Sequence, residues 1–206
     1  MCSTDEHMQH EYASARLAAY RELWGDPTTV IPDRYPEAPP IGIDVYGPRM
    51  DHNGIYQEHS KLVTAGMSDR AMTFPPGGNP RFHRAELVMY VPEPNEEHFG
   101  LLHFLAHYPH NAGRYFVHGH TVPNAEPFFS ESELSVALLL QPLVRWDARL
   151  PELLRIEGQP VELLWVQPIT AQEHALKREQ GLDALLALFQ RHRLPHVLDE
   201  RRPSLV

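Results

Sequence analysis

His118 and His120 stand one residue apart in the stretch RYFVHGHTVPNAEPFF (114–129), and this pair of imidazoles is the first feature with the makings of chemistry. In an extended segment, side chains at i and i+2 leave the same face, so both rings could reach one metal ion. A catalytic zinc needs about three protein ligands and an open position. The third ligand would have to be a carboxylate brought in by the fold, with Asp44 and Glu86 as the candidates, because no H-E-x-x-H, C-x-x-C or acid-rich run supplies one locally. Two ligands do not define a site. The competing reading, which the spacing favours, makes one histidine a surface residue and the other a backbone hydrogen-bond partner at a tight glycine turn.

The other reactive residue types are weaker candidates. His103 and His107 are i, i+4 neighbours on a helix. At about 100° per residue, Phe99, Leu102, Leu105 and Ala106 gather on one side, and the two histidines fall beyond its edge, facing water or a partner. His110 lies past Pro109, which is expected to end the helix. GMSD (66–69) has Arg70 where a nucleophile elbow needs its second glycine. It reads as a structural element in which Gly66 supplies the backbone geometry and Ser68 or Asp69 caps the next turn. Arg84 and Glu86 share a strand face and read as a polar face or an ion pair, with a general acid as the alternative. No glycine-rich phosphate loop follows a strand, so nucleotide binding has no support. No catalytic constellation is complete and no cofactor is implied.

The elements that must hold these residues are legible from pattern. Residues 5–24 read as a helix with Leu17, Tyr20 and Trp24 at helical spacing and Gly25 ending it. The proline-rich piece 32–40 runs extended into IGIDVY, which with KLVTAGM and AELVMYVP has the β-branched density of strands. Residues 95–108 form a helix, with Asn95 as N-cap and Glu96 and Glu97 in the first turn, where the helix dipole favours acids. SESE (130–133) and TAQE (170–173) both have the capping-box form and predict two more helix starts. PVELLWVQP (160–168) reads as a strand, and Leu182, Leu185, Leu186 and Phe189 mark an amphipathic helix after Gly181. The class is α+β, with helices packed on a mainly antiparallel mixed sheet, in a single domain over 1–206 with loose ends outside a core of about 10–190.

Composition narrows the function classes. The 206 residues carry a formal charge of −9 and show no lysine/arginine stripe beyond Arg201 and Arg202, so a phosphate backbone would be repelled and nucleic acid is not expected as a partner. No run approaches the ~20 apolar residues of a membrane span, and the N-terminus lacks a signal-peptide core. With one cysteine, Cys2, a reducing compartment is expected, the cytoplasm by default. Fourteen histidines predict that mild acidification erases much of the negative charge. Twenty prolines, about twice the average share, predict many short elements joined by ordered turns.

In order along the chain stand IDV (43–45), KLVTAGMSDRAM (61–72), RAELVMYVP (84–92), GHTVPNAEPF (119–128) and PVELLWVQPITAQE (160–173). Together they make the chain resemble the suppressor of fused domain family, in particular its stand-alone bacterial members, over roughly residues 10–190. The resemblance implies an α+β domain that holds another protein and carries no catalytic residues. It implies partner contacts from the end of the helix at LAHY and from the turn at HGHT, which are His107, Tyr108, Gly119 and His120 here. His120 replaces the acidic residue that the family shows after the turn glycine. Bacterial relatives are proposed as immunity proteins that neutralise polymorphic toxins. The expectation is therefore a non-enzymatic binding domain, a toxin-neutralising immunity protein or a regulatory partner-binding protein, with strand addition at a sheet edge as one physical route. The alternative from a different class is a metal-dependent hydrolase using His118, His120 and a carboxylate. A structural subunit forming a constitutive homo-oligomer is a third reading, and the oligomeric state stays open.

Overall fold

The computed structural model describes residues 2–35 and 40–206. Helix α1 (Cys2–Trp24) leads into β1 (Thr29–Ile31), β2 (Gly42–Tyr46), a small hairpin of β3 (Arg49–Met50) and β4 (Tyr56–Gln57), then β5 (Ser60–Ala65) and β6 (Ala85–Val91). Helix α2 (Glu96–Ala112), β7 (Thr121–Pro123), β8 (Leu134–Leu140), the short α3 (Leu150–Leu153) and the pair β9 (Arg155–Ile156) and β10 (Gln159–Pro160) come next. The chain then forms β11 (Glu162–Thr170), α4 (Ala171–Gln180) and α5 (Leu182–Arg191).

Seven strands form the main sheet in the order β1-β2-β5-β6-β11-β8-β7, antiparallel at every step except β6 to β11. This is the expected α+β class. Alternation along β6 shows why its side chains are all buried: Leu87, Met89 and Val91 enter the apolar layer beneath α2, while Val88 and Tyr90 enter the layer shared with α1 and α5. Both faces are covered, so the central strands read as continuous apolar runs. The edges are β1 and β7, each three residues long. No described helix is long and apolar enough to cross a membrane.

Several expectations change. In α1 the buried stripe is Arg16, Ala19, Tyr20, Leu23 and Trp24, and Leu17 is exposed, because the helix meets the polar end of β6 as well as the sheet's apolar face. α2 continues through Pro109 to Ala112. Proline removes one helical hydrogen bond, but Pro109 is buried, His110 Nε2 lies 3.2 Å from the Met67 carbonyl, and the N–H groups of Gly113 and Arg114 both donate to Pro109 O, so the last turn is held from outside. SESE starts no helix. Glu131 has φ of 58° and the chain turns into β8, while Ser130 donates to Glu97 (2.7 Å) and Ser132 to Glu200 O (2.5 Å). The stretch LSVALLL after it, apolar but for Ser135, belongs to a strand buried on both faces. TAQE does form the predicted capping box. Of the extended piece 32–40, residues 36–39 lie outside the described residues. The C-terminal end, expected to be loose, is docked: Leu198 and Arg202 are buried.

Candidate functional site

The Gly119 turn is bonded to the edge of the sheet. Gly119 donates to Leu139 O (2.6 Å), and Leu139 donates to His120 O (2.9 Å). Gly119 has φ of +85°, which favours glycine, and a Cβ there would come within 2.9 Å of Leu182 Cδ2 at the start of α5, a flexible side-chain end that can shift. His118 Nδ1 accepts from the Gln141 N–H (3.0 Å). His120 Nδ1 lies 3.2 Å from Tyr115 O, and a carbonyl only accepts, so that nitrogen carries the proton. Burial holds both imidazoles below their ordinary range. Both histidines of the pair thus bond backbone. Among the described residues, no group of three or more His, Cys, Asp or Glu side chains is arranged to hold a metal.

The two carboxylates considered as a third ligand are placed elsewhere. Asp44 faces the Tyr46 hydroxyl at 3.5 Å. Glu86 is fully buried inside the GMSD turn, accepting from Thr64 Oγ1 (2.6 Å), Gly66 N (3.1 Å), Ser68 N (3.1 Å) and Ser68 Oγ (2.6 Å). Burial pushes its carboxyl above the usual range against the pull of Arg16 at 4.0 Å and the two hydroxyls. Arg84 does not pair with Glu86 as expected. It donates to Ser68 O (2.7 Å) and Asp69 O (3.0 Å) and pairs with Glu157. The two side chains hold the turn together, Glu86 taking its N–H groups and Arg84 its carbonyls. Asp69 binds Arg16 of α1 and caps nothing. A Cβ on Gly66 (φ +124°) would sit 2.7 Å from Pro40 O, which accounts for glycine at that position.

On α2, His103 and His107 are buried, contrary to the expectation that they face water. Asp33, Arg34 and Tyr35, just after β1, lie against this side of the helix, with Arg34 paired to Glu96. Asp33 accepts from His107 Nε2 (2.9 Å), Tyr35 N (3.0 Å) and Ile41 N (2.7 Å), and the Tyr35 ring meets His107 edge-on at 5.1 Å. Burial opposes ionisation of Asp33, but these donors outweigh it and hold its carboxyl below the ordinary range. Tyr108, one residue and about 100° onward, leaves the helix on another side and stacks on Phe116 at 6.0 Å. The neighbouring Tyr115 meets His120 at 5.1 Å and Phe74 at 4.1 Å. Tyr108, Gly119 and His120 are all half-buried, with Tyr108 against Phe116 and His120 against Tyr115, whereas His107 is buried against Asp33.

A second feature was not visible in the sequence. A cavity of about 520 Å³ opens between the end of α1, the β3–β4 hairpin and the loop at 144–147. At its floor the fully buried Asp147 accepts from Trp24 Nε1 (2.7 Å), Lys61 Nζ (2.6 Å) and Tyr90 OH (2.6 Å). His52 stacks on Trp146 at 4.2 Å to form one wall. His59 stands edge-on to Tyr90 (5.7 Å) and His196 (5.1 Å), and burial pulls it down to about 4. These residues come from separate segments of the chain, and no spacing rule links them.

Residues 39–203 match the family profile described as Suppressor of fused protein. No curated protein sequence matches the chain. Among solved structures, the chain is similar to a putative suppressor of fused homologue from Neisseria gonorrhoeae, with 20% identity, a TM-score of 0.66, and coverage of 96% of this chain and 98% of that one. A Sufu-Fu complex structure matches at 14% identity and a TM-score of 0.62, covering 96% and 91% respectively. The Drosophila Suppressor of Fused structure matches at 13% identity and a TM-score of 0.58 over 94% of this chain, which spans 50% of that longer chain.

Proposed function

Because the chain belongs to the suppressor of fused family, we propose that it is a non-enzymatic domain that holds another polypeptide, in the manner of an immunity protein that neutralises a toxin. The partner contacts the rim made by Tyr108, Gly119 and His120, and His107 acts by bracing the segment at Asp33. One observation supports this reading: the Gly119 turn, hydrogen-bonded to β8, leads into the edge strand β7 with His120 half-buried against Tyr115, and Tyr108 is half-buried against the neighbouring Phe116. Aromatic groups with a polar rim are what protein interfaces favour. One relative was solved as a Sufu-Fu complex, which supports a protein partner. Edge strand β7 adds a second contact through its unpaired backbone, although Pro123 has no N–H to offer. The net charge of −9 speeds capture of a basic partner, and we place this encounter in the cytoplasm.

The test is affinity capture from the native host at physiological salt with wild type, Tyr108→Ala and His120→Asp chains. A protein retained by wild type and lost with Tyr108→Ala supports the reading. Retention of no protein, or equal retention by all three chains, overturns it. The second reading, a metal-dependent hydrolase, rests on His118 and His120 alone. Stoichiometric zinc in untagged protein, lost on His118→Ala, would revive it.

A further inference from the structure

The cavity around Asp147 holds two groups with unused hydrogen-bonding capacity, Lys61 and His196. Both oxygens of Asp147 are occupied, Oδ1 by Trp24 and Lys61 and Oδ2 by Tyr90. Asp51, on the hairpin wall, accepts from Asn53 N, Ile55 N and Gln57 Nε2. The donors are only partly used. A lysine ammonium carries three N–H bonds, and Lys61 commits one of them to Asp147. His196 Nε2 is buried among the described residues with no hydrogen-bond partner. A buried polar nitrogen without a partner is unfavourable, and a ligand acceptor facing its N–H tautomer would relieve this.

The walls fix the shape of what enters. Trp24 and Trp146 both spend their indole N–H on the protein, on Asp147 and on Leu23 O (2.8 Å), so they offer no donors; Lys61 lies over the buried Trp24 ring, and His52 and Arg149 lie over Trp146. Tyr46 and Met50 continue this apolar lining, and Met50 is 64% exposed, which leaves the hairpin side open to entry. A volume of about 520 Å³ suits one or two fused rings. Ring faces favour a planar guest, and an ammonium with spare protons favours an anionic acceptor through charge-assisted hydrogen bonds.

We propose that this cavity is a binding site for a small planar carboxylate, an aromatic acid of one or two rings whose carboxylate meets Lys61 and His196 and whose ring lies along the wall lined by Tyr46, Met50 and Trp146. The site shares no lining residue with the Gly119 rim and does not depend on the partner-binding reading. Benzoate and 2-naphthoate are the probes, with 2-naphthamide as the neutral control, titrated into the full chain and followed by calorimetry and by amide chemical shifts.

The expected result is saturable one-site binding of 2-naphthoate, about tenfold weaker binding of the amide, and shifts centred on His59 and Trp146. Lys61→Met would strip Asp147 of its cation and threaten the fold, so His196→Leu and Trp146→Ala are the informative variants. Each weakens 2-naphthoate about tenfold, while Tyr108→Ala leaves it unchanged. Absence of saturable binding of both acids at millimolar concentration, equal binding of acid and amide, or shifts centred on the Gly119 turn would each overturn the proposal.

Discussion

Arg202 and Glu173 form a two-pronged ion pair, Nη1 to Oε1 at 2.6 Å and Nη2 to Oε2 at 2.7 Å, with both residues buried. The same carboxylate accepts from Thr170 N (3.0 Å) as the reciprocal half of the α4 capping box and from Leu205 N (3.2 Å) in the tail. One glutamate therefore starts a helix and anchors the end of the chain.

Removing one partner leaves a buried charge alone. Arg202→Ala is expected to cost roughly 3–5 kcal/mol, read from the urea midpoint, and to expose residues after Leu198 to limited proteolysis. A tail that stays protease-resistant with an unchanged midpoint would show that the pair contributes nothing.

The grip of Glu86 on the GMSD turn gives a second expectation. Glu86→Gln points an amide NH2 at donors it cannot satisfy, in a site where four hydrogen bonds reach the carboxylate. A loss on the order of 2–4 kcal/mol is expected, and it should appear in thermal unfolding. If Glu86 instead served as a general acid, the variant would keep its stability and lose an activity.

Gly119→Ala combines a positive φ with a 2.9 Å approach to Leu182. About 1–3 kcal/mol of destabilisation is expected. Adding Leu182→Ala relieves the approach but not the backbone strain, so the double variant should recover little in calorimetry beyond what Leu182→Ala itself permits. Full recovery would locate the requirement in space alone.

Acid should weaken this protein before its carboxylates titrate. Burial lowers eight histidines, with His59 and His110 at about 4. Unfolded histidine titrates near ~6.5, so between these values the unfolded chain binds more protons and stability falls as pH falls. Stability from these groups is complete above ~6.5 and is lost down to about 4 for His59 and His110; Asp33, held below its ordinary range, adds its loss only at lower pH. Urea midpoints measured from pH 7 to 4 should decline, and His110→Gln should flatten the slope. The expectation that mild acid erases much of the negative charge changes accordingly, because buried imidazoles resist protonation until the fold gives way.

Local pattern determined the parts of this protein that depend on neighbouring residues. Asn95 and Thr170 cap the helices that their side chains announce, IGIDVY and AELVMYV are strands, and Gly119 marks a turn, because caps, strand alternation and positive φ are settled within a few residues. The ordered motif blocks carried the family. The tertiary structure alone decided what covers each face. His107 is buried against Asp33, 74 residues away, and the Tyr35 ring, and SESE gives way to a strand because both sides of β8 meet apolar layers. The cavity floor joins Trp24, Lys61, Tyr90 and Asp147 across separate elements. Burial is a property of the packed chain, and so are the proton affinities and free donors that depend on it.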